Sequence, residues 1–287
     1  MESFTQTFQP PTTGSTNHRL PAKALKMHIE TIKSQISDNY FYALVRENDV
    51  ALVDPVDAKS AISFVKNSGK TLRMVLNTHW HPDHVSGNDE VLAAFDGVEL
   101  VSGPDFERVN ELVSHAVDRV VAHGDEIELG GQKIQVIETP GHTLGHVAFL
   151  ADRHLLSGDT IFGAGCGHVK FGGDIKSLFQ TFDSLLPTLS ADIVYYPGHH
   201  YLQRNLEFGL HILPEDQATK EALNAELSLS RTLGEERKIN IFMRTHEAQV
   251  QEALKSAHAE IWADEAAQSS SDAETAFRVL RNLRNSW

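Results

Sequence analysis

Cysteine is almost missing from this chain. Cys166 is the only one in 287 residues, which excludes an internal disulfide and any metal cluster built on several thiolates. A reducing compartment is compatible with that count. Long apolar runs are missing too. No stretch approaches the roughly 20 apolar residues that span a bilayer, and the start carries no short apolar core with a cleavage pattern. The expectation is a protein with no membrane span, located in the cytoplasm, an organellar matrix being the alternative. Basic residues are in short supply: 25 Lys and Arg face 39 Asp and Glu, a formal net charge of -14. A general nucleic-acid surface is therefore not expected, and an anionic small-molecule partner needs a local cationic pocket.

What is present has a definite order along the chain. Residues 1–25 are polar and rich in Ser, Thr and Pro (Pro10, Pro11, Pro21), with Glu2 the only acid, and read as a flexible N-terminal arm. A processed transit peptide is the weaker reading, because Arg19 is the only arginine there. From Met27, short apolar runs read as strands: Phe41 to Val45, Val50 to Val53, Leu72 to Leu76, Ile134 to Ile137, Val147 to Leu150 and Ile193 to Tyr196. Helical stripes lie between some of them. Ala58, Ala61, Ile62 and Val65 stop at Gly69, and Ile175, Leu178, Phe179 and Phe182 stop before Pro187. Sheets sandwiched by helices are the expected layers. After about Tyr201 the sequence offers helical stripes and no convincing strand. Its last helix is the clearest, with Ala273, Ala276, Phe277 and Leu280 on one face behind a Ser269-Ser270-Ser271-Asp272 cap. Arg278, Arg281 and Arg284 lie three apart on that helix, where they would at the least complement its dipole.

The most informative segment is Asn77-Thr-His-Trp-His-Pro-Asp-His-Val-Ser-Gly-Asn88, directly after the apolar run Met74-Val75-Leu76. His79, His81, Asp83 and His84 put four metal-competent side chains at a strand end. Imidazole and carboxylate suit zinc, iron and manganese, and a set so poor in thiolate argues against a closed structural zinc knot. Three more strand ends carry donors: His142 in Thr139-Pro-Gly-His-Thr-Leu-Gly-His146, Asp159 after Leu155-Leu-Ser-Gly158, and His199 after Tyr195-Tyr-Pro-Gly198. Of the two histidines in the Thr139–His146 segment, His142 is preferred as the ligand, and His146, which opens the next strand, reads either as a ligand or as a hydrogen-bonding residue. Seven donors exceed what one tetrahedral ion takes and suit two ions with room for water, and a carboxylate can bridge them. The expected assignment is His79, His81 and His142 for the first ion, Asp83, His84 and His199 for the second, and Asp159 with a hydroxide between them. Zinc is the first choice of metal, with iron or manganese as alternatives. Asp54, closing a strand before Pro55, is a candidate to fix a ligand imidazole or simply to form a turn.

The motif His79-x-His81-x-Asp83-His84 with His142, Asp159 and His199 resembles the metallo-β-lactamase superfamily. Within it, the chain is most similar to glyoxalase II, the hydroxyacylglutathione hydrolases. The similarity runs from about residue 28 to the C-terminus. It includes Ser37-Asp38-Asn39-Tyr40, Val53-Asp54-Pro55, Gly158-Asp159-Thr160-Ile161-Phe162, Ala164-Gly165-Cys166-Gly167 and Gly198-His199-His200-Tyr201. In the tail it includes Thr232-Leu-Gly-Glu-Glu236, Asn240-Ile-Phe-Met-Arg244 and Arg281-Asn-Leu-Arg-Asn-Ser-Trp287. The resemblance implies an α/β fold, the αββα sandwich, as a catalytic domain over 26–200, with a helical glutathione-binding domain over 201–287.

It also implies the substrate, S-D-lactoylglutathione or a related acyl-glutathione, and a place in methylglyoxal detoxification. Tyr201, Arg281 and Arg284 would contact the glutathione part. Arg284 stands where the family commonly has lysine. After Cys166-Gly167 the family commonly offers a basic residue and, two positions on, an aromatic one. Here His168 and Lys170 hold those positions, so a cation is shifted by two residues and the aromatic contact is expected to be lost. Asp83 is the candidate to orient the attacking hydroxide besides its ligand role. Cys166 reads as a small buried thiol with no activating partner visible in sequence. The rival readings are a mononuclear iron glutathione persulfide dioxygenase, which shares the histidine motif, and a non-enzymatic binding protein kept stable by metal. A monomer or weak homo-oligomer is expected.

Overall fold

The computed structural model describes residues 26–287, so the expected arm over 1–25 lies outside the described residues. Two six-stranded sheets form the centre. The first runs β1 (His28–Lys33), β2 (Tyr40–Arg46), β3 (Asp49–Val53), β4 (Thr71–Asn77), β5 (Glu99–Ser102), β6 (Arg119–Val120) in spatial order. Its first three strands are antiparallel neighbours, and β3 to β6 pair in parallel through helical crossovers. The second contains β7 (Glu126–Leu129), β8 (Gln132–Glu138), β9 (Val147–Ala151), β10 (His154–Gly158), β13 (Val194–Pro197) and β14 (Arg231–Thr232). A small hairpin, β11 (Ile161–Phe162) and β12 (Gly165–Cys166), stands apart from both.

Side-chain alternation explains the layers. On β2, Tyr42 and Leu44 point inward with Val53, Leu76 and Val101, meeting Ile127, Ile134, Val136, Phe149 and Leu156 of the second sheet. Phe41, Ala43, Leu52, Val75 and Leu100 point the other way. They pack under α1 (Ala58–Ser68), α3 (Asn88–Ala94) and α4 (Phe106–Leu112), while the short α2 (Pro82–Val85) sits at the end of β4. The outer face of the second sheet, with Ile137, Ala148, Leu155 and Tyr195, receives α5 (Ile175–Gln180) and the tail. The tail comprises α6 (Leu202–Ile212), α7 (Gln217–Asn224), α8 (Leu233–Ile239), α9 (Ala248–Ala257), α10 (Ala259–Ala266) and α11 (Asp272–Ser286). Phe277 and Leu280 of α11 are fully buried in that layer, each contributing about 1.5–3 kcal/mol. The αββα expectation holds.

Local signals act where the sequence placed them, with two corrections. Asp57 caps α1 by accepting from the Ser60 amide at 3.1 Å, and Gly69 ends it at φ 65°, a left-handed position that suits glycine. Ser271 caps α11 by accepting from Glu274 N at 3.1 Å. The stripe beginning at Ile175, however, leaves the α-helix after Gln180. It widens to a π-turn over Thr181–Leu185 and tightens to a 3-10 turn, Leu186–Thr188, which contains Pro187 instead of stopping before it. Proline at the start of a helical turn loses no hydrogen bond there. The tail also supplies a strand after all: β14 pairs antiparallel with β13, too short to leave a period-two pattern.

Candidate metal centre and adjoining cavity

Loops from both sheets meet at one end of the sandwich. The β4–α2 segment brings His79, His81, Asp83 and His84, the β8–β9 loop brings His142 and His146, the end of β10 brings Asp159, and the end of β13 brings His199. Two glycines make the approach possible. A Cβ on Gly158 (φ 47°) would lie 2.5 Å from Thr78 Oγ1, and one on Gly198 would lie 2.5 Å from Asp159 Oδ1.

The structure brings all seven candidate donors together. Donor atoms of His79, His81 and His142 lie within 4.8 Å of one another, as do those of Asp83, His84 and His199. His79 Nε2 and His142 Nε2 stand 3.1 Å and 2.9 Å from His81 Nδ1. Asp159 lies between the groups: Oδ1 is 3.3 Å from His84 Nε2, while Oδ2 is 3.4 Å from His142 Nε2 and 3.6 Å from His199 Nε2. Asp83 Oδ2 is 3.3 Å from His199 Nε2, and its side chain is half exposed where the other six are buried.

The ring nitrogens facing away from the cluster are fixed from outside it. Phe171 O meets His81 Nε2 at 2.9 Å, and His168 O meets His142 Nδ1 at 2.6 Å. Asp54 Oδ2 accepts from His84 Nδ1 at 3.0 Å and from Thr78 Oγ1 at 2.6 Å, and Thr78 Oγ1 lies 3.0 Å from His79 Nδ1. Of its two readings, Asp54 takes the one that orients an imidazole. His146 is hydrogen-bonded, its Nδ1 to Thr139 Oγ1 at 2.8 Å and its Nε2 accepting from the Asp159 amide at 3.2 Å.

The cluster fits a divalent cation. His84 Nε2 and Asp159 Oδ1 are buried, approach each other at 3.3 Å and, among the described residues, have no hydrogen-bond partner of good geometry. Burial, with neighbouring imidazoles, holds His79 well below the ordinary histidine range and His142 at about 4, so both offer lone pairs at neutral pH. At His84, burial pulls downward but Asp159 and Asp54 outweigh it and push the ring well up. Burial raises Asp159, yet His199, His84 and His142 hold it well below the carboxylate range. That half of the cluster is electrostatically built for positive charge.

A cavity of about 610 Å³ opens over the donors, lined by Asp38, Trp80, His81, Asp83, Phe171 and Tyr201 among others. A second, of about 330 Å³, adjoins it and shares Phe162, His168 and Tyr201. His168, Lys170, Tyr201, Arg281 and Arg284 all line this second cavity, so the five expected substrate contacts converge. Arg281 is buried, with Nη1 donating to Cys166 O at 2.9 Å and Nε without a partner among the described residues. Arg284 Nε donates to Asn205 Oδ1 at 2.9 Å. Arg278 turns away to Glu274 Oε1 at 3.0 Å.

The loop does offer an aromatic ring one residue past the expected position: Phe171 follows Lys170, places its ring 5.4 Å from that of His168 and lines the donor cavity. Cys166 does have a cationic neighbour, Arg281 Nη1 at 3.6 Å from its sulfur, invisible in sequence across 115 residues. Burial nonetheless pushes the thiol up, so it remains the unreactive buried cysteine expected.

Three polar groups beside the donors carry no clear signal in the sequence. Asn39 Nδ2 donates to Asp83 O at 2.9 Å and Oδ2 at 3.1 Å, while Asp38 Oδ2 accepts from Tyr201 O–H at 3.1 Å and Asp38 Oδ1 lies 3.4 Å from His199 Nδ1. Asp38 and Asn39 sat inside a quoted motif, the only signal available. Thr78, between Asp54 and His79, gave none.

Comparison with known proteins agrees with this geometry. Residues 37–199 match the Metallo-beta-lactamase superfamily, and residues 200–287 match the Hydroxyacylglutathione hydrolase C-terminus. A hydroxyacylglutathione hydrolase of Polaromonas sp. is 34% identical over 259 residues, covering 87% of this chain and 94% of the relative. One from Rhodospirillum rubrum is 38% identical over 235 residues, covering 76% and 88%. Among solved structures, ETHE1 from Myxococcus xanthus superposes with a TM-score of 0.61 at 21% identity, covering 87% of this chain and 99% of that one, a likeness of fold alone.

Proposed function

We propose, for a chain that belongs to the hydroxyacylglutathione hydrolase family of the metallo-β-lactamase superfamily, that it hydrolyses S-D-lactoylglutathione or a closely related acyl-glutathione. The observation that carries this reading is that the donor-lined cavity shares Phe162, His168 and Tyr201 with the cavity lined by Arg281, Arg284 and Lys170. A thioester carbonyl can lie over the donors while its thiol half lies against the cations.

In this reading His79, His81 and His142 would hold one divalent ion, Asp83, His84 and His199 would hold a second, and Asp159, lying between the two groups, would serve as a ligand as well. Zinc suits the set, and iron or manganese would bind the same ligands. Bound there, such ions acidify water from about 15.7 towards 7 and polarise a carbonyl oxygen. The chain's own residues do the rest. Asp83, half exposed and kept ionised as His199 and His84 outweigh its burial, faces the cavity where attacking water is oriented. Arg281 and Arg284 meet the carboxylates of glutathione, for which a guanidinium fork is suited. Tyr201 keeps its proton, since burial and Asp38 push the phenol up, and its O–H is already given to Asp38. The hydroxyl oxygen lies 3.2 Å from His199 Nδ1 and keeps one further lone pair with which to accept from a substrate N–H. A thiol leaving group has a pKa near 8.5 and departs as thiolate without a strong acid.

The family match of the tail and the second donor group favour thioester hydrolysis over the dioxygenase. The test is loss of thioester absorbance from S-D-lactoylglutathione with metal-replete protein, run beside oxygen uptake with glutathione persulfide. Hydrolysis without oxygen uptake is expected. Oxygen uptake without hydrolysis reverses the assignment, and neither activity returns the protein to the metal-stabilised binding class.

A further inference from the structure

The hairpin formed by β11 and β12 stands between the two cavities. It begins two residues after Asp159 and ends two before His168. Phe162 lines both cavities and Cys166 lines the cationic one. Its turn passes through Ala164 at φ 54°, a left-handed conformation that a residue with a Cβ keeps only where its surroundings impose it.

Four successive residues of this turn are each held by a tail side chain. Asn205 Nδ2 donates to Gly163 O at 2.8 Å, Glu236 Oε1 accepts from Ala164 N at 2.7 Å, Asn240 Nδ2 donates to Gly165 O at 2.9 Å, and Arg281 Nη1 donates to Cys166 O at 2.9 Å. Two of these clasps are joined to the cationic cavity, because Arg281 lines it and Asn205 accepts from Arg284 Nε.

Glu236 is the hub. It is fully buried and lines neither cavity. Besides Ala164 N, it accepts from Asn240 Nδ2 at 2.8 Å and from Tyr195 O–H at 2.7 Å, and it faces Arg231 Nε at 3.4 Å. Arg231 in turn lies against the turn, where a Cβ on Gly163 would come within 2.6 Å of Nη2. A buried carboxylate is costly, and well-packed apolar side chains often stabilise as much or more. What it does that an apolar residue cannot is accept the Ala164 N–H and so set the path of the turn.

We propose that Glu236 is a positioning residue for recognition of the thiol half. By fixing the Gly163–Cys166 turn it places the guanidinium groups of Arg281 and Arg284, and with them the glutathione preference. This rests on the glutathione thioester reading above.

The test compares kcat/KM for S-D-lactoylglutathione with that for the lactoyl thioester of N-acetylcysteamine, which lacks the peptide. Calorimetric titration with glutathione itself gives binding directly. Glu236→Ala is expected to lower the ratio about tenfold or more, through KM, and to weaken glutathione binding in parallel. Glu236→Gln is expected to lose less of the ratio than Glu236→Ala, because Oε1 still accepts from Ala164 and Asn240 and Nε2 can donate to the Tyr195 oxygen, while its amide against Arg231 Nε lowers Tm. Equal loss on both thioesters, or an unchanged ratio, overturns the inference. If the alanine variant does not fold, Asn240→Ala, which removes the Gly165 contact, is expected to lower the ratio and weaken glutathione binding, and no change in either sinks the idea. A wild-type protein that neither hydrolyses the glutathione thioester nor binds glutathione refutes the proposed function instead.

Discussion

Asp54→Asn is the most informative single change outside the donors, because the amide has nearly the shape of the carboxylate and alters only which atoms can accept. Asp54 sits at φ 53°, and asparagine tolerates the left-handed region well, so the backbone has no reason to move. The oxygen that accepts from Thr78 N at 2.8 Å is retained. The other becomes an NH2 group facing His84 Nδ1 at 3.0 Å, where the wild-type carboxylate accepts the ring proton. Two donors cannot face each other, so the variant favours the opposite tautomer, with the proton on Nε2, the atom that faces the cluster. His84 then presents hydrogen where a lone pair is needed.

Loss of such an outer partner typically weakens metal affinity about 10- to 100-fold, or about 1.4–2.8 kcal/mol. The loss should fall on the Asp83–His84–His199 group. Titration of metal-free protein against a chromogenic chelator resolves it: wild type is expected to show two binding events, and the variant one near wild-type strength and one weakened. An Asp54→Asn protein that binds both equivalents as wild type does would refute the tautomer argument.

Arg281→Ala should raise KM for S-D-lactoylglutathione about 10- to 100-fold with kcat within about threefold, as expected when binding shared by ground and transition states is removed. Steady-state kinetics showing a lost kcat and an unchanged KM would detach that arginine from the thiol half. In the tail, Arg244 forks Asp216 at 2.8 Å and 2.9 Å and also pairs with Glu247 at 2.9 Å, so Asp216→Ala, which leaves Arg244 one carboxylate and removes the cap of α7, should cost about 1–3 kcal/mol, lowering Tm by about 5 °C. Burial raises the Asp216 carboxyl, but Arg244 and Thr219 outweigh it and leave it below the ordinary range. A depressed folded-state pKa gives stability that is present above the unfolded value near 3.9 and lost as pH falls. The Tm gap between wild type and Asp216→Ala should therefore be widest near neutrality and narrow below about pH 4. A gap constant with pH would mean that packing, not charge, sets it.

The metal cluster was legible because its donors crowd strand ends within short segments: His79 to His84 lie in six residues, and each remaining donor follows an apolar run. The core was legible for the same local reason, since β2, β3 and β4 are apolar on both faces. What escaped the sequence was made by distance. β6 and β14 are two residues long and exist only through their partners. Phe171 was overlooked because the expected aromatic position was counted along the loop, whereas the loop's path brings the next residue over the donors. The Cys166–Arg281 contact and the Glu236–Ala164 bond join residues 115 and 72 positions apart, and no period or spacing encodes them. Arg278, Arg281 and Arg284 look equivalent on one helix, yet only the last two line the cavity, while Arg278 pairs with Glu274 and faces Glu265 of α10 at 3.8 Å.

The central claim is that two divalent ions, joined through Asp159, drive thioester cleavage, and metal content per chain set against activity tests it most directly. Chelated protein reloaded stepwise should reach full S-D-lactoylglutathione hydrolysis only as the second equivalent binds, and Asp159→Ala should lose both metal and activity. Full activity at one equivalent, or an Asp159→Ala protein that is metal-replete and fully active, would contradict the account.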